Sequence, residues 1–222
     1  MSTKTGPKQA LFEQLAVIAR ALGSAVRLEL LDFLAQGERT VDALAAVSGL
    51  GRANTSKHLQ QLRQAGLVSA RREGLHVHYR LSGDDVVELI GRLRDLAQRR
   101  LAEVDRLVES YLLSKDDLEP LPAGELLERA RDGVVTVLDV RPPEEFAQGH
   151  LPGAVNLPLA KLEDHLEELP RDREVVAYCR GPWCVLSFEA VARLREAGFA
   201  ARRLEEGLPE WRRAGLPVDR SS

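Results

Sequence analysis

Cysteine is nearly missing from this chain: it occurs at Cys179 and Cys184 and nowhere among the first 178 of 222 residues. Two thiols cannot staple a disulfide scaffold, so a reducing cytoplasm is the expected compartment. Their absence from the first half also removes thiolate binding of soft metals there. Long apolar runs are missing as well. None approaches the ~18 residues of a membrane helix, and no membrane partner is expected. Residues 1–7 hold no apolar core for a secretory signal. There is no internal repeat and no low-complexity segment. What remains is an ordinary globular composition, 44% hydrophobic and 29% charged, which excludes disorder of the whole chain. At roughly 100–200 residues per domain, the length fits one large domain or two small ones.

A net charge of −3 conceals an asymmetry. Residues 1–115 carry 17 Lys/Arg and 13 Asp/Glu, whereas residues 116–222 carry 14 and 21. Within 39–80 there are 7 basic and 2 acidic residues. A local excess of that sign suits the neutralisation of phosphates, although on charge alone a solvated surface explains it equally well.

The first half reads as successive helices. Leu11, Leu15, Ile18 and Leu22 recur at helical spacing over 10–21. Ser24 opens a second helix that Gly37 stops, and Thr40 caps a short third one. Gly49-Leu50-Gly51 is a turn, and a further helix runs from Arg52 to Ala65, ended by Gly66. The period then changes. Residues 67–72 and 76–81 alternate around a Glu73-Gly74 turn, as a hairpin does. From Asp84 to Leu113 a single long helix is expected, with Val86, Ile90, Leu93, Ala97, Leu101, Val104, Val108 and Tyr111 spaced by threes and fours. That seam exceeds what a small core needs, and it predicts a homodimer through 84–113. Ser114–Pro122, polar and with two prolines, reads as a linker.

Beyond it, strand and helix alternate. Helices are expected over 123–131, 162–168, 185–197 and 208–214, and strands over 134–140, 154–157, 174–178 and 201–204. That order predicts an α/β domain with a mainly parallel sheet. The predicted fold is therefore two domains: a mostly α winged helix-turn-helix over 1–115 and an α/β domain over 116–222.

In the first domain, helix 52–65 buries Leu59 and Leu62 and is expected to present Asn54, Thr55, Ser56, Lys57, His58 and Gln61 to base edges in a major groove. Arg71, Arg72 and Arg80 on the hairpin are expected to reach phosphates or the adjoining minor groove. A helical interaction domain with a polar face is the plainer alternative. His76 and His78 stand two apart and have the spacing to chelate, but no further ligand is apparent nearby, so they read as wing residues and no metal or other cofactor is expected.

Several segments here resemble ArsR-type regulators: Ala21-Leu22-Gly23-Ser24-Ala25-Val26-Arg27-Leu28 with Leu30-Leu31, Ser56-Lys57-His58-Leu59, Leu62–Val68 and Tyr79-Arg80-Leu81. The resemblance covers about 10–110. It implies a homodimer that binds operator DNA of two-fold character and represses transcription when unliganded. Many members sense metals or sulfur species through cysteines in this domain, and this chain has none there.

Tyr178-Cys179-Arg180-Gly181-Pro182-Trp183-Cys184-Val185 follows a buried strand and opens a helix. Backbone N–H groups converge at such a place and the helix dipole favours an anion, so Cys179 should be a nucleophilic thiolate. Gly181 lets the backbone curl, Pro182 stiffens it, and Arg180 adds positive charge beside the sulfur. A buried structural cysteine is the competing reading. Around the loop stand Val137-Leu138-Asp139-Val140-Arg141, Glu144-Glu145-Phe146, Gly149–Asn156 and Glu206–Trp211. The set resembles rhodanese over roughly 117–218.

The resemblance implies a sulfurtransferase. Cys179 would take a sulfane sulfur from a small donor such as thiosulfate or a persulfide, hold it as a persulfide and pass it on. Amides of Arg180 through Val185 would cradle the outer sulfur. Asp139 and Arg141 would organise the rim, His150 and Asn156 would hold the loop after the first strand, and Glu144 and Glu145 read as first-turn carboxylates. Phosphatases and arsenate reductases of the same fold need C-x5-R, and that position here is Val185. Cys184 stays open between a resolving thiol and a residue that lends only its amide.

Together these readings predict a transcriptional regulator whose rhodanese module carries a persulfide on Cys179 and couples sulfur status to DNA binding. Three alternatives remain: a module that only binds an oxyanion such as arsenate, an enzyme whose DNA domain merely regulates its own operon, and a sulfurtransferase that merely dimerises through the helical domain.

Overall fold

The computed structural model describes residues 6–113 and 119–220. By their internal contacts the residues divide into two units, Met1–Ile90 and Gly91–Ser222.

The first unit contains α1 (Pro7–Leu22), α2 (Ala25–Ala35), β1 (Arg39–Thr40), α3 (Val41–Ser48), α4 (Arg52–Gln64), β2 (Val68–Glu73), β3 (His76–Leu81) and the start of α5 (Asp84–Arg100). Thr40 caps α3 as expected, its Oγ1 accepting from the Ala43 amide at 3.1 Å. Gly49 then ends α3 in the left-handed region, at φ +68°. The hairpin is antiparallel, with Gly74 at φ +58° in its turn. The sequence pattern does not disclose β1, which pairs Arg39 with Tyr79 and makes the wing a three-stranded sheet of order β1-β3-β2. Leu30, Leu31, Leu44, Leu59, Leu62, Tyr79 and Val86 form the core.

The long helix expected over 84–113 is interrupted. Leu101 takes an extended conformation (φ −113°, ψ 101°), then α6 (Ala102–Leu107) and a π-helical turn over Val108–Leu113 follow. No glycine or proline lies near the break. Beyond the break, the π-helical segment lies against the helix that follows the cysteine loop, and Leu112 is buried. Of the predicted linker, residues 114–118 lie outside the described residues.

The rest of the second unit comprises α7 (Ala123–Arg131), β4 (Val135–Asp139), α8 (Pro143–Gln148), β5 (Val155–Asn156), 3-10 turns at Leu159–Lys161 and Glu163–Glu168, β6 (Glu174–Tyr178), α9 (Val185–Glu196), β7 (Ala201–Arg203) and α10 (Leu208–Arg213). The sheet has order β5-β4-β6-β7 and is parallel throughout. Both its faces are covered. Val175, Ala177 and Cys179 pack into one core with Ala190, Val191 and Leu194 of α9, whereas Val176 and Tyr178 pack into another with Leu126 and Trp211. A strand buried on both sides reads as a continuous apolar run, which is how Val175–Tyr178 appears in the sequence. Among the described residues, no helix is long and apolar enough to cross a membrane.

Candidate functional site

Strand β6 delivers Cys179 to the carboxyl edge of the sheet, where open parallel sheets place their ligands. Alternation along the strand sends the cysteine side chain to the α9 face, and the residue is only 2% exposed. Cys184 N donates to Gly181 O at 3.0 Å, closing a turn, and Cys184 is the N-cap of α9. Cys179 and Cys184 are joined as a disulfide, their Cα atoms 6.2 Å apart. Sequence spacing alone leaves that pairing open.

A buried polar frame holds the loop's base. Asp139 ends β4 directly beside Tyr178 in the strand register, and both are fully buried. Arg141 returns to Asp139 through Nη2–Oδ2 at 2.6 Å, and its own amide donates to Oδ1 at 2.9 Å. The Tyr178 hydroxyl donates to Asp139 Oδ2 at 2.5 Å and accepts from the Leu151 amide at 3.1 Å. Burial, reinforced by the Asp139 charge, pushes the Tyr178 pKa far up, so the phenol stays a neutral donor. Burial alone would lower the Arg141 pKa, but the hydrogen bonds and charge of Asp139 outweigh it and the net shift is upward. Asn156 Nδ2 donates to the carbonyls of Asp139 and Arg141, both at 3.0 Å. The His150 ring stacks on Phe146 with centroids 3.7 Å apart, its Nδ1 2.9 Å from the Phe146 carbonyl. The contacts of these groups lie within the frame.

Arg180 departs from expectation. Its guanidinium is bound by Glu145, with Nη2–Oε1 at 2.6 Å, and Glu145 is 1% exposed. A carboxylate that deep needs a cation, so the positive charge anticipated beside the sulfur is compensated. Gly207 is the other residue whose role the sequence hides. A Cβ there would stand 2.5 Å from the Gly181 nitrogen and closer still to the Arg180 carbonyl. Only glycine permits this approach of backbone to backbone. Gly207→Ala is therefore expected to displace the loop and slow re-formation of the Cys179–Cys184 disulfide after reduction by about 10- to 100-fold, with little change in far-UV circular dichroism. Closure at the wild-type rate would show that the loop yields.

In the winged unit, Asn54 and Lys57 are exposed on α4, with Ser56, His58 and Gln61 partly so. Thr55 is a correction. It is fully buried, and its hydroxyl donates to Gly51 O at 3.2 Å. Spacing explains it: Thr55, Leu59 and Leu62 lie at i, i+4 and i+7 on the inward face. Gln60 and Gln64, which the sequence pattern does not single out, are exposed beside Lys57. Gln61 accepts from Arg27 Nη1 at 2.9 Å. On the wing, Arg71 is held by Glu38 and, at 2.5 Å, by Glu73. Its hydrogen bond keeps the Glu38 carboxyl below the usual range, so much of Arg71's charge is already answered. Arg72 and Arg80 are exposed, and their Nε atoms reach Gly74 O and Ser69 Oγ, each at 3.2 Å. His78 lies 3.5 Å from Glu38, and His76 is exposed.

Residues 24–70 match the family model for bacterial regulatory proteins of the arsR family, and residues 122–214 that for the rhodanese-like domain. Over 219 residues, 99% of this chain and 96% of the relative, the sequence is 46% identical to the HTH-type transcriptional regulator Rv0324 of Mycobacterium tuberculosis. The chain belongs to the ArsR family of transcriptional regulators and carries a rhodanese domain.

A sulfurtransferase of Allochromatium vinosum is 39% identical over 85 residues, covering 38% of this regulator and 78% of that protein. Among solved structures, the homodimeric winged helix-turn-helix DNA-binding domain from Mycobacterium bovis matches with a TM-score of 0.41 and 42% identity, covering 46% of this chain and 94% of that one. By the two family models, the regulator joins a winged module of the arsR family to a cysteine loop of the rhodanese kind, and its chain's only two cysteines are the pair in that loop.

Proposed function

We propose that this regulator is a repressor whose rhodanese module carries sulfur on Cys179, and that the state of the loop biases DNA affinity. The functional modules are taken as 1–115 and 116–222. The observation that carries the reading is the placement of Cys179: at the carboxyl end of a central parallel strand, before the N-terminus of α9, with Cys184 within bonding distance. The Cys179 thiolate attacks the outer sulfur of thiosulfate; the sulfur–sulfur bond breaks and sulfite leaves with its electron pair. Cys184 thiolate then attacks Cys179 Sγ and expels the outer sulfur as hydrosulfide, forming the disulfide. No external oxidant is consumed, since the donor's sulfane sulfur is reduced.

Asn54, Ser56, Lys57, His58 and Gln61 on α4 and Arg72 and Arg80 on the wing are taken as the operator-facing groups, with Arg71 a weaker contributor because of its two carboxylates. The test uses one preparation. Reduced protein is treated with thiosulfate, its intact mass is recorded, and its affinity for its own upstream DNA is measured by mobility shift. The reading expects one added sulfur atom mapped to Cys179, then a disulfide, and a change in affinity in step with them. A sulfur found only on Cys184, or an affinity indifferent to both states, would overturn it.

Assembly as a homodimer is part of the reading. Leu11, Phe12 and Leu15 are exposed on α1, and Leu89, Leu93 and Leu96 on α5. Apolar side chains in such runs mark an interaction surface. Leu93→Glu should weaken dimerisation by about 100-fold or more by burying an unpaired charge, read by light scattering against concentration. A wild-type monomer at micromolar concentration would remove the dimer.

A further inference from the structure

The cysteine loop is held by a residue from outside the segment that matches the rhodanese-like domain. We propose that Arg94, on α5, is a positioning residue of the sulfur-transfer loop, setting the approach of Cys184 to Cys179 through Trp183 and Glu210.

Arg94 Nη1 lies 3.2 Å from Glu210 Oε1, and the two side chains are only 15% and 17% exposed. The same guanidinium stands 5.6 Å from the centre of the Trp183 ring. A Cβ at Gly181 would be 3.9 Å from Arg94 Nη1 and 3.8 Å from both Glu210 oxygens, so the pair rests against the Gly181 side of the loop. The second oxygen of Glu210, Oε2, accepts from the Gly207 amide at 3.1 Å. Gly207 is the residue whose backbone presses on Arg180 and Gly181. Arg94 therefore grips the loop at two points: Trp183, which directly precedes Cys184, and Gly207 by way of Glu210. Its charge is already met by Glu210, which argues for a clamp rather than a binding site for an anionic donor.

The consequence is specific to one step. Attack on an external donor draws on Cys179 and the loop amides and feels the clamp only through them. Closure requires Cys184 to be delivered to Cys179 Sγ, breaking the bond to the outer sulfur and releasing hydrosulfide, and its rate depends on how tightly segment 181–184 is confined. This inference rests on the persulfide reading of Cys179 for its natural reaction, but the clamp itself is testable without it.

Full-length wild type, Arg94→Gln and Arg94→Lys are reduced and mixed with thiosulfate, then with oxidised glutathione in a separate series. Samples are acid-quenched and weighed intact over time. With glutathione, a mixed disulfide forms on Cys179 as one glutathione leaves, and Cys184 displaces the second. Arg94→Gln should slow closure about tenfold more than it slows loading in both series, and Arg94→Lys, which keeps a cation over Trp183, should recover most of the loss. Tryptophan fluorescence should follow closure in the wild type through Trp183, which directly precedes Cys184. Closure at the wild-type rate in Arg94→Gln would overturn the proposal, as would loading and closure falling together without rescue by lysine. If the wild type gains no sulfur from thiosulfate while glutathione closure still depends on Arg94, the persulfide reading fails and the clamp stands.

Discussion

Cys179→Ser is expected to gain no sulfur from thiosulfate, form no loop disulfide, and bind DNA with an affinity that no longer responds to the donor. A serine hydroxyl is not ionised near neutral pH and cannot displace sulfite. The sulfur sits before α9, a twelve-residue helix whose N-terminal amides point toward the loop. Cys184→Ser separates the remaining roles. With no resolving thiol, the persulfide on Cys179 should accumulate and persist, whereas the wild type should pass through it to the disulfide. Intact mass and peptide mapping of the three proteins read this directly. If Cys184→Ser and the wild type gave the same persulfide lifetime, Cys184 would be reduced to a donor of its amide.

Asp139→Ala is expected to destabilise the α/β half by about 3–5 kcal/mol, the usual cost of removing one partner from a buried ion pair. Asp139 and Arg141 are both fully buried, and the same carboxylate receives the Tyr178 hydroxyl, which in turn anchors Leu151. The alanine takes the carboxylate partner from a buried guanidinium and leaves a phenol beside an empty volume. Asp139→Asn should cost less, because the amide oxygen still accepts, although its NH2 then faces a donor. Urea unfolding followed by near-UV circular dichroism measures both. An unchanged midpoint for the alanine variant would mean that the frame contributes nothing to stability. Since the Tyr178 pKa is raised, the phenol should remain a donor to Asp139 as the pH is raised through the range in which a free tyrosine ionises.

What the sequence discloses follows from the range over which each feature is decided. Ala123–Arg131 and Glu174–Tyr178 fall where periodicity places them, because an amphipathic helix and a doubly buried strand are local patterns. Two-residue β1 has no period to detect. The break at Leu101 coincides with no breaker in Gln98-Arg99-Arg100-Leu101, so no local pattern announces it. Thr55 leaves its expected place on the polar face, although its spacing with Leu59 and Leu62 is visible, because a hydroxyl can be buried once Gly51 O accepts its hydrogen bond. Glu145 is the first-turn carboxylate that its position suggests, but its partner Arg180 stands 35 residues away. Gly207 belongs to a recognisable motif, yet the reason for it is a close approach to loop backbone that no local pattern encodes.

The pairing of charges around the loop has a practical corollary when it is set beside the exposed charges of the winged unit. Arg180 with Glu145 and Arg94 with Glu210 are internal, mostly covered pairs, whereas Lys57, Arg72 and Arg80 stand in solvent. Mobile ions screen over about 8 Å at physiological ionic strength and reach the second group far better than the first. Every phosphate that an exposed cation neutralises makes DNA affinity fall more steeply with added salt, while an intramolecular closure between internal pairs has few counterions to exchange. Ionic strength thus acts as a clutch. A concentrated medium would loosen the winged unit from DNA while leaving the covered charge pairs around the loop in place.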